Sequence, residues 1–198
     1  MKTEKIYLFI DGTNLYAAQY ELFGPERYLD FVKFIEEVEK NLEIKFDKVH
    51  FYASYSPKPK RPTKRDKLYL KNEALFYRSV KKTKDVIFFK GYRSRTSGKE
   101  KEVDVKLTAD LVSFAFLNRY DVVSLFSGDA DFLQALFNIR EFCGKRIFLL
   151  CLQNKIMHKG AFHFRSYIIS FGGLRVKWQR GQKIKVIKIK SPVCMHTG

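Results

Sequence analysis

Two groups of acidic residues follow apolar runs that have the character of buried β-strands. Asp11 comes directly after the run Lys5–Ile10. Asp129 and Asp131 come shortly after a second run, Val122–Phe126. In an open parallel sheet, ligands bind beyond the carboxyl ends of the strands, at the point where the strand order reverses. If these two strands flank that point, their three aspartates meet in one crevice.

A crowd of carboxylates is costly by itself, because like charges repel and raise one another's pKa. A hard divalent cation removes that cost, since Mg²⁺ and Mn²⁺ prefer oxygen ligands. Asp104 begins the helix that leads to the second strand and supplies a fourth carboxylate from the same side. The sequence therefore predicts a Mg²⁺ or Mn²⁺ site held by Asp11, Asp104, Asp129 and Asp131. Taken one at a time, these aspartates also suit structural roles as turn residues, helix caps or first-turn charges.

Other kinds of site find little support. The chain has no GxGxxG after the first strand, no GxxxxGK[ST] and no GxSxG. The stretch Phe9–Thr13 is similar to the DxDGT motif of haloacid-dehalogenase phosphatases, but Phe9 stands where that chemistry needs its nucleophilic aspartate. The three cysteines form no CxxC pair, and the four histidines have no HExxH spacing. Zinc, P-loop, dinucleotide and serine-hydrolase chemistry are therefore not predicted.

Short apolar runs alternate with amphipathic stretches, which predicts βα units around a mainly parallel sheet. The five expected strands, in the order 3-2-1-4-5 across the sheet, are Lys5–Ile10, Lys48–Ala53, Asp85–Lys90, Val122–Phe126 and Lys145–Cys151. Helices are expected from Pro25 to Leu42, over Lys67–Val80 and over Glu102–Asn118. A fourth helix is expected after Asp131 and ends at Phe142, and a fifth is expected over Lys159–Ser170. A short strand is expected at Leu174–Trp178, and the alternating residues Gln182–Lys190 predict another.

The charge of the chain is strongly positive. Of its 198 residues, 38 are Lys or Arg against 21 Asp or Glu, a formal net charge of +17. This excess favours a polyanionic partner, although a basic surface also serves solubility. The residues expected to contact RNA phosphates are Lys58, Lys60, Arg61, Lys64, Arg65, Arg93, Arg95, Lys99 and Lys101. Three further lysines, Lys81, Lys82 and Lys84, are interpreted as a solvated face.

The length suits one domain with its own core. The odd cysteine count predicts no disulfide framework, and the first apolar run is too short for a signal peptide or a membrane span. We therefore expect a soluble cytoplasmic protein with no membrane partner. The sequence leaves the oligomeric state open, a homodimer included.

Three segments in order resemble the NYN domain, in particular the LabA-like branch of the PIN-like nuclease superfamily. They are Leu8–Leu15, Lys101–Asp110 and Tyr120–Phe132, within a resemblance that runs from Lys5 to Leu174. The resemblance implies a Rossmann-like three-layer sandwich and metal-dependent ribonuclease activity. It also implies catalytic Asp11, Asp104, Asp129 and Asp131, with Asn14 as a polar helper. We expect residues 1–174 to form the nuclease domain and 175–198 a basic C-terminal extension with an added strand.

Asp110 matches a recurrent acidic position of the family, but it falls on a different helix face from Asp104 and is left out of the metal shell. The first hypothesis is a metal-dependent ribonuclease that acts as an endonuclease on single-stranded or structured RNA. The alternative is a noncatalytic RNA-binding or adaptor module that retains the fold. A phosphohydrolase acting on small phosphates ranks last, because it has little use for a net charge of +17.

Overall fold

A computed structural model describes residues 4–93, 100–154, 164–171, 185–189 and 194–196. Its centre is a parallel sheet of seven strands in the order β10-β9-β8-β7-β1-β3-β4. The strands are β1 (Ile6–Asp11), β3 (Lys48–Ala53), β4 (Val86–Lys90), β7 (Val122–Phe126), β8 (Arg146–Leu152), β9 (Arg165–Phe171) and β10 (Lys185–Ile189). β1 pairs in parallel with β3 on one side and with β7 on the other.

Helices cover both faces of the sheet and make a three-layer sandwich. They are α1 (Gly12–Phe23), α2 (Phe31–Leu42), α3 (Lys64–Lys82), α4 (Val103–Phe116) and α5 (Leu133–Cys143). Helices α1, α2 and α3 pack over one face, where Leu8 and Ile10 of β1 are buried. Helices α4 and α5 pack over the other face, where Phe9 is buried. This alternation of β1 between two apolar cores follows from the two-residue period of a strand.

The expected fold class is confirmed. The five predicted strands correspond to β1, β3, β4, β7 and β8, and they lie in the predicted order. The sheet differs in having two more strands, β9 and β10, beyond β8. β10 confirms the strand predicted within Gln182–Lys190. The domain boundary at residue 174 stays a prediction, and the strand expected at Leu174–Trp178 lies outside the described residues.

The helix predicted over Lys159–Ser170 is wrong where the structure describes it, because Arg165–Phe171 is strand β9. β9 lies between β8 and β10, so helices and neighbouring strands enclose it and its last four residues are all buried. A strand buried on both faces loses the alternating pattern that distinguishes it from a helix.

Two helical boundaries also differ from the predictions. Helix α1 follows Asp11 without any loop, where the sequence predicts only the end of a strand. The helix expected from Pro25 begins at Phe31, capped by Asp30, and Arg27–Leu29 forms a short strand, β2. Helices α3, α4 and α5 confirm the predicted ones to within a few residues.

Two small ribbons complete the described structure. β2 pairs antiparallel with β11 (Cys194–His196), and β5 (Tyr92–Arg93) pairs antiparallel with β6 (Glu100–Lys101). The β5–β6 ribbon follows the carboxyl end of β4 and leads into α4. Among the helices of the described residues, none is long and apolar enough to cross a membrane.

Candidate active site at the carboxyl edge of the sheet

Asp11 is both the last residue of β1 and the N-cap of α1. Its Oδ1 accepts a hydrogen bond from the backbone N–H of Asn14 at 3.0 Å, which satisfies a first-turn donor of the helix. The carboxylate is 6% exposed. The strand passes into the helix at Gly12, where a Cβ atom would lie 2.1 Å from the Phe51 ring. Glycine is therefore required for α1 to start directly behind the aspartate.

Ser127 connects the ends of two neighbouring strands. It follows β7 and donates from Oγ to Oδ2 of Asp11 at 3.1 Å. Oγ of Ser127 also accepts a hydrogen bond from the backbone N–H of Asp129, at 3.1 Å. The Ser127 hydroxyl thus joins the two acidic segments that the sequence predicts to meet. The prediction did not include Ser127 among the site residues, although its position directly after a buried strand was a usable signal.

Asp129 and Asp131 lie on the loop between β7 and α5. Oδ1 of Asp129 accepts from the backbone N–H of Asp131 at 3.0 Å, a hydrogen bond that fixes the turn. Both residues are exposed, whereas Asp11 is buried. The site therefore has a buried carboxylate at its base and two carboxylates that solvent and a ligand can reach.

Asp104 lies in the first turn of α4 and is exposed. Helix α4 begins after the β5–β6 ribbon, so Asp104 comes from the edge at which β4 ends. Within the described part of the chain, no three His, Cys, Asp or Glu residues are placed to hold a metal ion. The four-aspartate metal site hence stays a prediction. Asn14, half-buried, is placed by its own N–H beside Asp11.

Asp110 has a separate environment. Its Oδ2 accepts from the Tyr52 hydroxyl at 2.9 Å, and its Oδ1 lies 2.6 Å from Nζ of Lys106. Burial, followed by the charge of Asp110, raises the pKa of Tyr52, which stays a neutral donor. Both carboxylate oxygens of Asp110 are thus engaged by the fold, which agrees with leaving this residue out of the metal shell.

The first predicted RNA-binding segment follows the carboxyl end of β3 and reaches the start of α3. Its five cations, which are all exposed, are Lys58, Lys60, Arg61, Lys64 and Arg65. Arg65 donates from Nε to the Tyr20 hydroxyl at 2.8 Å and lies over the Tyr20 ring. The segment is therefore anchored to α1, the helix that Asp11 caps.

In the second predicted segment, Arg93 and Lys101 lie on the two strands of the β5–β6 ribbon. Arg95 and Lys99 lie outside the described residues. RNA contact by either segment stays a prediction.

A parallel sheet between two helical layers, with acidic residues at the carboxyl ends of β1 and β7, defines a Rossmann-like sandwich of the PIN-like class. The sequence profile of the NYN domain matches residues 5–166, and the chain belongs to the NYN domain family. That family includes nucleases. The assignment to its LabA-like branch stays a prediction.

The fold is also similar to the crystal structure of a protein of unknown function from Vibrio parahaemolyticus. The two share 20% sequence identity with a TM-score of 0.61, over 86% of this chain and 96% of the other. A search of curated proteins found no significant match. The structural likeness thus supports the fold alone.

Proposed function

We propose that this protein is a metal-dependent ribonuclease that hydrolyses internal phosphodiester bonds of RNA. The observation that carries the proposal is the Ser127 hydrogen bond between Asp11 and the Asp129 loop, at the edge where parallel sheets bind ligands. Membership of the NYN family and the net charge of +17 support the same activity.

The donor set suits Mg²⁺ or Mn²⁺, because the side chains gathered at this edge offer carboxylate, hydroxyl and amide oxygens. Asp11 and Asp129 would hold the ion, with Asp104 and Asp131 as the further predicted ligands. When bound, a divalent ion supplies a lowered pKa for water and charge compensation at the scissile phosphate.

The protein's own side chains have distinct tasks in this proposal. Asp11, buried and held by two hydrogen bonds, keeps a fixed orientation. Ser127 maintains the spacing between Asp11 and the loop that carries Asp129. Asn14 would orient a water molecule or a phosphate oxygen with its side-chain amide. The exposed basic segments would hold the RNA backbone across the edge.

Incubation of the purified protein with single-stranded and structured RNAs in Mn²⁺ tests the activity directly. The expected result is cleavage by the wild type and none by Asp129→Asn, with RNA affinity retained. Equal cleavage by both proteins would assign the activity to a contaminant or to another site. Internal products, rather than single nucleotides, distinguish an endonuclease from an exonuclease.

A second candidate is a noncatalytic RNA-binding or adaptor module. It is supported by the exposed cations of the first predicted RNA-binding segment, because binding of phosphates by cations requires no metal ion. This candidate predicts salt-sensitive RNA binding with no turnover in any divalent ion. Calorimetry with Mn²⁺ separates the two, because only the nuclease requires a divalent site that Asp11→Asn removes.

A further inference from the structure

The outward face of α3 carries a straight row of positive side chains. At 100° per residue, five exposed cations fall within an arc of about 60°. They are Lys64, Lys67, Lys71, Arg78 and Lys82, which we name the α3 row. The sequence alone assigns Lys82 to a solvated face, but its alignment with the other four cations on α3 assigns it here to this row. The buried residues of the helix, among them Phe76 and Val80, lie on the opposite side.

The two carboxylates of α3 accept hydrogen bonds from residues before the helix and do not pair with the α3 row. Asp66 accepts from the backbone N–H and the hydroxyl of Thr63 in a capping box. Glu73 is 2% exposed and accepts from the backbone N–H and hydroxyl of Ser56. Within the residues that the structure describes, no cation of the α3 row forms an ion pair. The row thus presents uncompensated charge to solvent.

The outward face of α2 is different. There Lys33 pairs with Asp30 at 3.4 Å, and Lys40 pairs with Glu37 at 3.8 Å. A basic surface maintained only for solubility would spread its charge over both helices. The positive charge is instead concentrated on α3, which indicates a specific polyanion.

The α3 row starts beside α1, the helix that Asp11 caps. The Tyr16 hydroxyl of α1 donates to the backbone oxygen of Tyr69 at 3.0 Å, and Arg65 bonds to Tyr20. These contacts place the first turns of α3 along α1, whose N-terminus is capped by Asp11. From there the row extends about 27 Å, at 1.5 Å per residue, towards the opposite edge of the sheet.

We propose that the α3 row binds the phosphodiester backbone of a single-stranded RNA segment that flanks the candidate active site. Successive row positions are three, four or seven residues apart, so the cations follow one nearly straight line. Such a line suits one extended strand, whereas a duplex presents two curving lines of phosphates. Because the row contains no aromatic side chain, it contacts phosphates rather than bases. The choice of RNA as the polyanion rests on the proposed function, but the binding itself requires no catalysis.

The test compares two charge-matched pairs in the full-length chain carrying Asp129→Asn, so that no probe is cleaved. One pair is Lys71→Gln with Arg78→Gln in the α3 row. The control is Lys33→Gln with Lys40→Gln on α2. Both pairs remove two positive charges, and glutamine keeps a similar helix propensity. Fluorescence anisotropy of a labelled 20-nucleotide uridine RNA gives Kd between 50 and 300 mM KCl, and a hairpin duplex of equal length serves as a second probe.

The α3 pair is expected to reduce the salt slope of binding by about 1.4, at about 0.7 per lost contact, and to weaken affinity at 100 mM salt by roughly 10- to 30-fold. The α2 pair should leave the slope unchanged. Equal effects of the two pairs, or no effect of either, would overturn the proposal, since only net charge or another surface would then matter. A larger loss on the duplex than on the single strand would also overturn it. Cleavage assays play no part, so failure of the proposed ribonuclease activity would be seen separately.

Discussion

The Oγ atom of Ser127 lies 3.1 Å from Oδ2 of Asp11, although 116 positions separate the two residues along the chain. The contact exists because β1 and β7 are neighbours in the sheet and end at the same edge. It ties the buried carboxylate at the start of α1 to the loop that carries the exposed ones. Its removal should therefore affect the site more than the fold.

Ser127→Ala tests this link. The change removes one hydrogen bond to Asp11 and one from Asp129, and should lower stability by about 1–2 kcal/mol. We expect Mn²⁺ affinity to fall by roughly 10- to 100-fold, the usual cost of losing an orienting partner of a metal ligand. Calorimetry measures the affinity, and urea unfolding measures the stability.

Ser124→Ala is the matched control for that variant. Ser124 lies in β7, the strand that Ser127 follows. It is fully buried, and its Oγ has no hydrogen-bond partner among the described residues. Its replacement should leave Mn²⁺ affinity unchanged and stability equal or slightly higher. If the two variants lose Mn²⁺ affinity equally, Ser127 has no special role in the site.

Asp11→Asn separates the capping role of Asp11 from its role as a ligand. Asparagine caps a helix about as well as aspartate, so thermal stability should change little. The loss of the carboxylate should abolish Mn²⁺ binding in calorimetry. Asp30→Asn provides the comparison, because Asp30 caps α2 through the same kind of hydrogen bond, to the N–H of Lys33. A similar loss of Mn²⁺ binding in Asp30→Asn would contradict the assignment.

His50 should make the fold sensitive to mild acid. It is 5% exposed and stacks on Phe9, with ring centroids 5.0 Å apart. Burial lowers the pKa of His50 to about 4. The charge of Asp110 opposes this shift, and the charges of Lys48 and Lys106 add to it. Between pH 4 and 6.5 the unfolded chain binds the proton more readily than the folded one, so stability falls as the pH falls through this window.

His50→Phe removes that proton-binding difference. The wild type should lose roughly 1 kcal/mol of unfolding free energy per pH unit from this group between pH 6.5 and 4, whereas the variant should lose none of it. Urea unfolding at half-unit steps of pH gives the two curves. The other ionisable groups are common to both proteins and provide the background. Parallel curves would show that His50 does not titrate with folding.

The second predicted RNA-binding segment is tested by changing Arg93, Arg95, Lys99 and Lys101 together to glutamine. If each contacts a phosphate, the salt slope of binding to single-stranded RNA should fall by about 0.7 per contact, or by nearly 3 in total. Anisotropy in the Asp129→Asn background measures this slope. An unchanged affinity and slope would move the RNA path to the segment from Lys58 to Lys67, to the α3 row or to the C-terminal tail.

The sheet was largely predictable from the sequence, because five of its seven strands are short apolar runs bounded by polar residues. These are β1, β3, β4, β7 and β8. Helix α1 was missed because Asp11–Asn14 has the composition of a turn, although the same residues serve here as a cap and first turn. β9 was missed because strands buried on both faces lack an alternating pattern. Local patterns thus fail where tertiary contacts decide the structure.

The candidate site was predictable in part. The meeting of Asp11 with the Asp129 loop follows from the rule for parallel sheets, and the structure joins them through Ser127. The position of Asp104 relative to the other carboxylates depends on where the β5–β6 ribbon places the start of α4. No sequence pattern specifies that placement. The partnership of Asp110 with Tyr52 likewise depends on packing between α4 and β3.

The outer strands β9 and β10 have a bearing on how the protein can be shortened. The family profile ends at residue 166, inside β9, so a chain trimmed to the matched residues would lack β10 and all but two residues of β9. β8 would then become the border of the sheet, with unpaired backbone groups and apolar side chains beside them. An apolar edge strand of this kind pairs with strands of other chains. The natural edge strand β10 instead carries the exposed Lys185 and Lys188, whose charges oppose such pairing. Strands β9 and β10 would thus prevent self-association through β8. A protein shortened to the matched residues would aggregate, and its activity could not be measured.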